Sequence, residues 1–97
     1  MENEIIFDFD YIEDYEDFYS LFRQKFEVPD WFGDNLDALY DFLSGDLKLP
    51  LHLSFVNFTL DKLESFEDLL ETLEDAENEI EGFTFSYYME QFDADDF

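Results

Sequence analysis

Asp37 and Asp41 stand four residues apart. On a helix they share a face as like-charged neighbours, an arrangement that costs an isolated helix about 0.2–0.5 kcal/mol. Paired carboxylates admit three kinds of chemistry. They can exchange protons in catalysis if their surroundings drive their pKa values apart. They can hold a hard cation. They can also meet guanidinium and ammonium groups in a positively charged cleft. The first is disfavoured, because both acids would be exposed on one helix with no contrast between their contexts. No Ser/His/Asp set, Cys/His set or Gly-rich phosphate loop accompanies them. A single His and no Cys argue against a transition-metal site, and hard cations would bind such acids weakly and without selectivity. The chain is therefore not expected to be an enzyme or to need a cofactor or metal. The third chemistry remains, and it requires an element that displays the acids.

That element is legible in Pro29 to Gly45, PDWFGDNLDALYDFLSG. Trp31 and Phe32 run into Gly33, a turn residue able to take a positive φ at little cost. Asp34-Asn35 is a helix-start signal; with Asp34 as the cap, Asp37 falls at the third helical position. Leu36, Leu39 and Leu43 supply a buried stripe, and Gly45 ends the helix. The segment thus reads as a short helix with two aromatics at its entrance and a doubled carboxylate along its side.

From Val28 to Leu53 the chain resembles the barstar family, intracellular protein inhibitors of barnase-type ribonucleases. The resemblance rests on Pro29-Asp30-Trp31-Phe32-Gly33-Asp34-Asn35-Leu36-Asp37-Ala38-Leu39-Tyr40-Asp41, then Leu43, Gly45 and Pro50-Leu51. It implies a stoichiometric inhibitor, an antitoxin or immunity protein, that is a monomer when free and plugs the active site of a basic ribonuclease in a 1:1 complex. In that family the acid matching Asp41 replaces a substrate phosphate, and Asp37 carries over as a second charge partner. Trp31 matches an aromatic that stacks on the nuclease's catalytic histidine. Asn35 and Leu36 match contacts at the helix start, although Asn35 reads equally as a cap. Phe32 lacks a polar tip and reads as packing. Tyr40, Ser44 and Gly45 complete the implied partner-binding surface; Gly45 serves as well as a helix stop. Glu77 is matched to an acid on the last helix. Two departures stand out: Tyr40 replaces a family tryptophan, and Asp46 replaces an aromatic, which implies a more basic or differently shaped partner.

The formal charge of −24 comes from 28 acidic residues against 4 Lys and Arg. High charge opposes collapse, yet 22% of the residues are aromatic, with 14 Phe, and a disordered acidic tail lacks that apolar content. A folded module with a negative shell is the expected outcome. The same sign excludes nucleic acid and anionic membranes as direct ligands and favours a basic protein, whose encounter the field accelerates. An alternative reading is a DNA mimic or general acidic adaptor, with carboxylates imitating a duplex phosphate track. The acidic start Met1-Glu2-Asn3-Glu4 is unlike a secretory signal, so a cytoplasmic location is expected and the sequon Asn57-Phe58-Thr59 reads as chance. His52, between Leu51 and Leu53, reads as structural.

Periodicity predicts the rest. Glu4 to Phe9 reads as a strand. Asp14 caps a helix over Tyr15 to Phe26, with Tyr15, Phe18, Phe22 and Phe26 on one face. Leu51 to Val56 is a period-two strand. Thr59 to Glu64 forms a helical turn, and Ser65 caps a longer helix that carries Phe66, Leu69, Leu70, Leu73 and Ile80 inward and ends at Gly82. Phe83, Phe85 and Tyr87 make a third strand. Strands alternating with helices imply parallel pairing: an α/β fold, a small three-stranded parallel sheet flanked by helices on both faces in α/β/α layers, as in the barstar-like fold. One domain spans residues 1–97, with an acidic tail over residues 89–97 left unassigned.

Overall fold

The computed structural model describes residues 3–45 and 47–89. The strands are β1 (Asn3–Asp8), β2 (Leu51–Phe58) and β3 (Phe83–Met89); the helices are α1 (Tyr15–Lys25), α2 (Leu36–Gly45), α3 (Leu60–Ser65) and α4 (Glu67–Glu79). A short 3-10 turn, Phe9–Tyr11, follows β1. The sheet is three-stranded in the order β1-β2-β3. Both pairings are parallel, with Phe7 beside Phe55 and Phe55 beside Tyr87. The expected sheet and connections are present.

The layering differs from expectation. Phe7, Leu51, Leu53, Phe55, Phe83 and Phe85 point to one face and are buried there. On that face Phe7 lies 5.2 Å from Phe18 of α1 and 5.7 Å from Phe55, ring centroid to centroid. The buried residues of α1, α2 and α4 join the same cluster. The other face carries Glu4, Ile6, His52, Ser54, Thr84, Ser86 and Tyr88, and there Ile6 is 46% and Tyr88 56% exposed. The fold therefore has two layers, not α/β/α. The rule that parallel sheets are covered on both faces yields to the sequence's own alternation, which places hydroxyls and a histidine on the uncovered side. Those groups satisfy one another. The ring nitrogens of His52 pair with Thr84 Oγ1 at 2.6 Å and Ser86 Oγ at 2.8 Å, and Ser54 Oγ donates to Glu4 at 3.0 Å. His52 is thus a cross-strand tie.

The core is built largely from phenylalanine. Phe22 stacks on Phe32 at 5.5 Å and 6° and meets Phe42 edge-on at 5.7 Å. Phe9 contacts Phe55, Phe58 and Phe66. Each fully buried Phe contributes about 1.5–3 kcal/mol, and each good aromatic pair about 0.5–1.5 kcal/mol beyond its area. This aromatic interior offsets the repulsion of the acidic shell.

Asp14 caps α1 as expected, its carboxylate accepting the Asp17 N–H at 2.9 Å. Thr59 caps α3 by accepting from Lys62 N at 3.2 Å. Ser65, expected to cap the long helix, is instead the last residue of α3, and α4 begins after Phe66 with no side-chain cap. The cause is the Phe66 ring, buried against Phe9 and Tyr15, which breaks the helical path at that residue. Gly82 turns the chain into β3 at φ +91°, and a Cβ there would come within 3.2 Å of Leu49. Asn57 sits at φ +59° where the β2–β3 register shifts. Its amide donates to Asp8 at 2.9 Å and Phe58 is fully buried, a setting that hides the sequon. The tail beyond Met89 lies outside the described residues.

Candidate partner-binding site

The segment before α2 is built around Arg23. Its Nε donates to Asp34 Oδ1 at 2.8 Å, its Nη2 lies 2.7 Å from the same oxygen, and Nη2 also donates to the Phe32 carbonyl at 2.9 Å. The guanidinium lies 5.4 Å from the Phe32 ring centroid. These contacts hold Asp34 at φ +49°, a left-handed conformation that Asp tolerates better than most residues. Two expectations change here. An N-cap residue takes extended angles, so Asp34 is not the cap; Asn35 is, with Oδ1 accepting the Ala38 N–H at 2.8 Å and Nδ2 donating to the Gly33 carbonyl at 3.1 Å. Gly33 is not needed for a positive φ. It makes room, because a Cβ there would come within 3.0 Å of the Asn35 amide nitrogen.

α2 then buries Ala38, Leu39, Phe42 and Leu43 and turns Asp37, Asp41 and Ser44 outward together, at positions i, i+4 and i+7. Ser44 Oγ donates to the Asp41 carbonyl at 3.2 Å. Trp31 is 51% exposed, its ring 6.3 Å from that of Phe32. Leu36 is half-buried against the core. Gly45 is exposed, with no chain atom within 4 Å of where a Cβ would stand. Phe32 is 3% exposed and belongs to the core, so it supports the segment from beneath, in keeping with its reading as packing. Asp46 lies outside the described residues.

Glu77 is half-buried and its carboxylate accepts the Phe85 N–H at 3.1 Å, which occupies the free edge of β3. The acids of α4 that face α2 are Glu79 and Asp75. The Tyr40 hydroxyl donates to Glu79, and this bond, followed by burial and by the charges of Glu79 and Asp75, raises the Tyr40 pKa. A helix-face count could have found them: Asp75 and Glu79 are four apart and two residues either side of Glu77. Register was the missing information. α2 thus presents Asp37, Asp41 and Ser44 on one exposed face, with Trp31 exposed in the segment before it and Tyr40 joined to Glu79 beside Asp75.

Among the described residues the one ion pair is Arg23–Asp34, so Asp37 and Asp41 have no internal cation. No group of three or more His, Cys, Asp or Glu among the described residues is placed to hold a metal. Exposed carboxylates of this kind can accept several charge-assisted hydrogen bonds.

The fold is a two-layer parallel α/β fold that leaves an acidic helix exposed. A family model described as Barstar (barnase inhibitor) matches residues 3–90. A Bacillus subtilis (strain 168) protein named "Putative ribonuclease inhibitor YrdF" is 38% identical over 79 residues, covering 78% of this chain and 87% of that protein. The chain belongs to the barstar family. Members of that family are inhibitors, not enzymes, and the partner they imply is in general a ribonuclease.

Proposed function

We propose that this protein blocks the active site of a basic, barnase-type ribonuclease in a 1:1 complex, with α2 and the Trp31 segment standing in for RNA. Asp41 takes the position of a phosphate, bound by the enzyme's cationic side chains, and Asp37 adds a second charge on the same helix face. Trp31 covers the catalytic groups, a role suited to a large side chain with little rotamer entropy to lose. The observation that carries this reading is the contrast in charge matching: Asp34 is paired within the chain, whereas Asp37 and Asp41 are exposed and unmatched. The ribonuclease is either the cell's own, held inactive in the cytoplasm, or a toxin against which the protein gives immunity.

Inhibition measured against a basic barnase-type ribonuclease tests this. Asp41→Ala should weaken the complex by about 2–5 kcal/mol, a range that charge pairs in inhibitor–ribonuclease complexes of this type helped to define. Asp37→Ala and Trp31→Ala should act in the same direction. Three variants that inhibit as well as the native chain would refute the surface. An acidic adaptor imitating a duplex phosphate track would instead lose a little affinity with each acid removed, wherever it lies.

A further inference from the structure

A second surface lies on α3, α4 and the end of β3. A shallow groove of about 720 Å³ there is lined in part by the apolar side chains of Leu60, Leu63, Leu70 and Tyr87. Leu60 is 75% exposed and Tyr87 37%. Single exposed apolar residues are ordinary; these stand together, with Leu60 and Leu63 one helical turn apart. The rim is acidic: Glu64, Glu67, Glu71 and Glu74. Glu67, Glu71 and Glu74 follow the spacing i, i+4, i+7 on α4, so like charges are stacked along one line, which opposes the helix unless cations face it.

None of the chain's own cations does so. Arg23 is bound to Asp34 and the Phe32 carbonyl. Lys62, although on α3, donates to the Phe9 carbonyl. Lys25 and Lys48 line a different cavity beside Asn3 and Leu47. The sequence has 4 Lys and Arg, so these glutamates are complementary to a cationic partner and are matched by none of the chain's own cations.

We propose that this groove is a docking surface for an amphipathic helix of a partner protein, with leucine-like side chains along one stripe and lysines or arginines flanking it. The row Glu67–Glu74 extends about 10 Å along α4, the length over which a helix seats successive side chains of one stripe in a groove. A strand is the poorer occupant, because Glu77 already takes the Phe85 N–H at the free edge of β3. The proposal goes beyond the inhibitor reading and does not depend on it, since α2 contributes nothing to the groove.

The probe is a capped peptide of leucine and lysine, about four turns long with leucine at helical spacing, titrated into the full chain at ~150 mM NaCl and followed by amide NMR. Shifts should concentrate at 60–74 and Tyr87. Leu60→Ser should weaken binding about tenfold through lost apolar burial. Glu67→Gln, Glu71→Gln and Glu74→Gln together should do the same and flatten the salt dependence. A scrambled peptide of equal composition separates the groove from charge alone. The proposal is overturned if the peptide does not bind, if shifts centre on Trp31 and Asp41 or spread evenly, if the scrambled peptide binds equally, or if Leu60→Ser has no effect. Ribonuclease inhibition by Leu60→Ser should stay native, so failure here and failure of the α2 surface are read separately.

Discussion

Asp34 and Asp41 lie seven residues apart in the same stretch, both exposed, and they do opposite things. Asp34 is tied to Arg23 and takes a backbone conformation that fixes the entrance to α2. Asp41 touches no cation and lies one turn from another unmatched acid. In a chain with 28 acids the mere presence of a carboxylate says little. Between these two acids the difference is that the fold supplies a counter-charge to Asp34 and none to Asp41.

The most severe way to break that contrast is to remove the platform under both acids. Phe22 contacts Phe7, Phe18, Phe26, Phe32 and Phe42 and is fully buried. Phe22→Ala should cost about 3–5 kcal/mol of stability in denaturant titration and erase the distinction between the paired and unpaired regions. Asp41→Ala, by contrast, should leave the denaturation midpoint within about 0.5 kcal/mol of native, as surface substitutions usually do. A large loss there would make Asp41 structural and the contrast false.

Arg23→Ala sharpens the comparison. It removes charge-assisted hydrogen bonds, discounted because both partners are about half exposed, so a stability loss of about 1–2 kcal/mol is expected. It should also weaken ribonuclease inhibition while leaving Asp37 and Asp41 untouched, because the Trp31 segment loses its anchor. Native inhibition by Arg23→Ala would show that preorganisation of this segment is unimportant.

Tyr19 offers a smaller effect at the same location. It is 4% exposed and its hydroxyl has no hydrogen-bond partner among the described residues; its ring meets Phe32. Tyr19→Phe should raise stability by about 1 kcal/mol. Burial, then the neighbouring Tyr15 and Asp34, pushes the Tyr19 pKa well above its ordinary value of 10.0, and burial also raises that of Tyr15. A phenol harder to ionise in the folded state gives stability that is whole below pH about 10 and lost as pH climbs beyond it. The melting temperature should therefore fall above pH 10, and less steeply in Tyr19→Phe. The smallest effect is that of salt. Moderate NaCl should raise the melting temperature by a few degrees, roughly what 1 kcal/mol produces in a chain this size; a flat trend would mean that unmatched acids exact no general cost.

Much of this architecture was legible in the chain, for reasons visible residue by residue. Strand β2 was marked by Leu51, Leu53 and Phe55 at period two and by Pro50 before them. Asp14 was a correct cap because nothing competes for its carboxylate. Two readings failed. Ser65 has the chemistry of a cap, but the helix break falls one residue later, at the buried Phe66. Of the two cap candidates before α2, Arg23 takes the carboxylate of Asp34 and Asn35 performs the function. The second helical layer was expected from a general rule about parallel sheets, although His52, Ser54, Thr84 and Ser86 already recorded a polar face in the sequence. At the candidate site, the outward placement of Asp37 and Asp41 was legible in their helical spacing. The approach of Asp75 and Glu79 to Tyr40 was not legible, since helix register against α2 is a tertiary quantity that no local pattern reports.

The single tryptophan of the chain sits at the entrance to α2, half in water, while the phenylalanine interior has no indole at all. Its emission therefore monitors that entrance alone. A partner settling there would shift the colour and intensity of the fluorescence without any attached dye, whereas occupation of the α3–α4 groove would leave the spectrum unchanged. The molecule carries its own optical gauge at the place where its proposed function is performed.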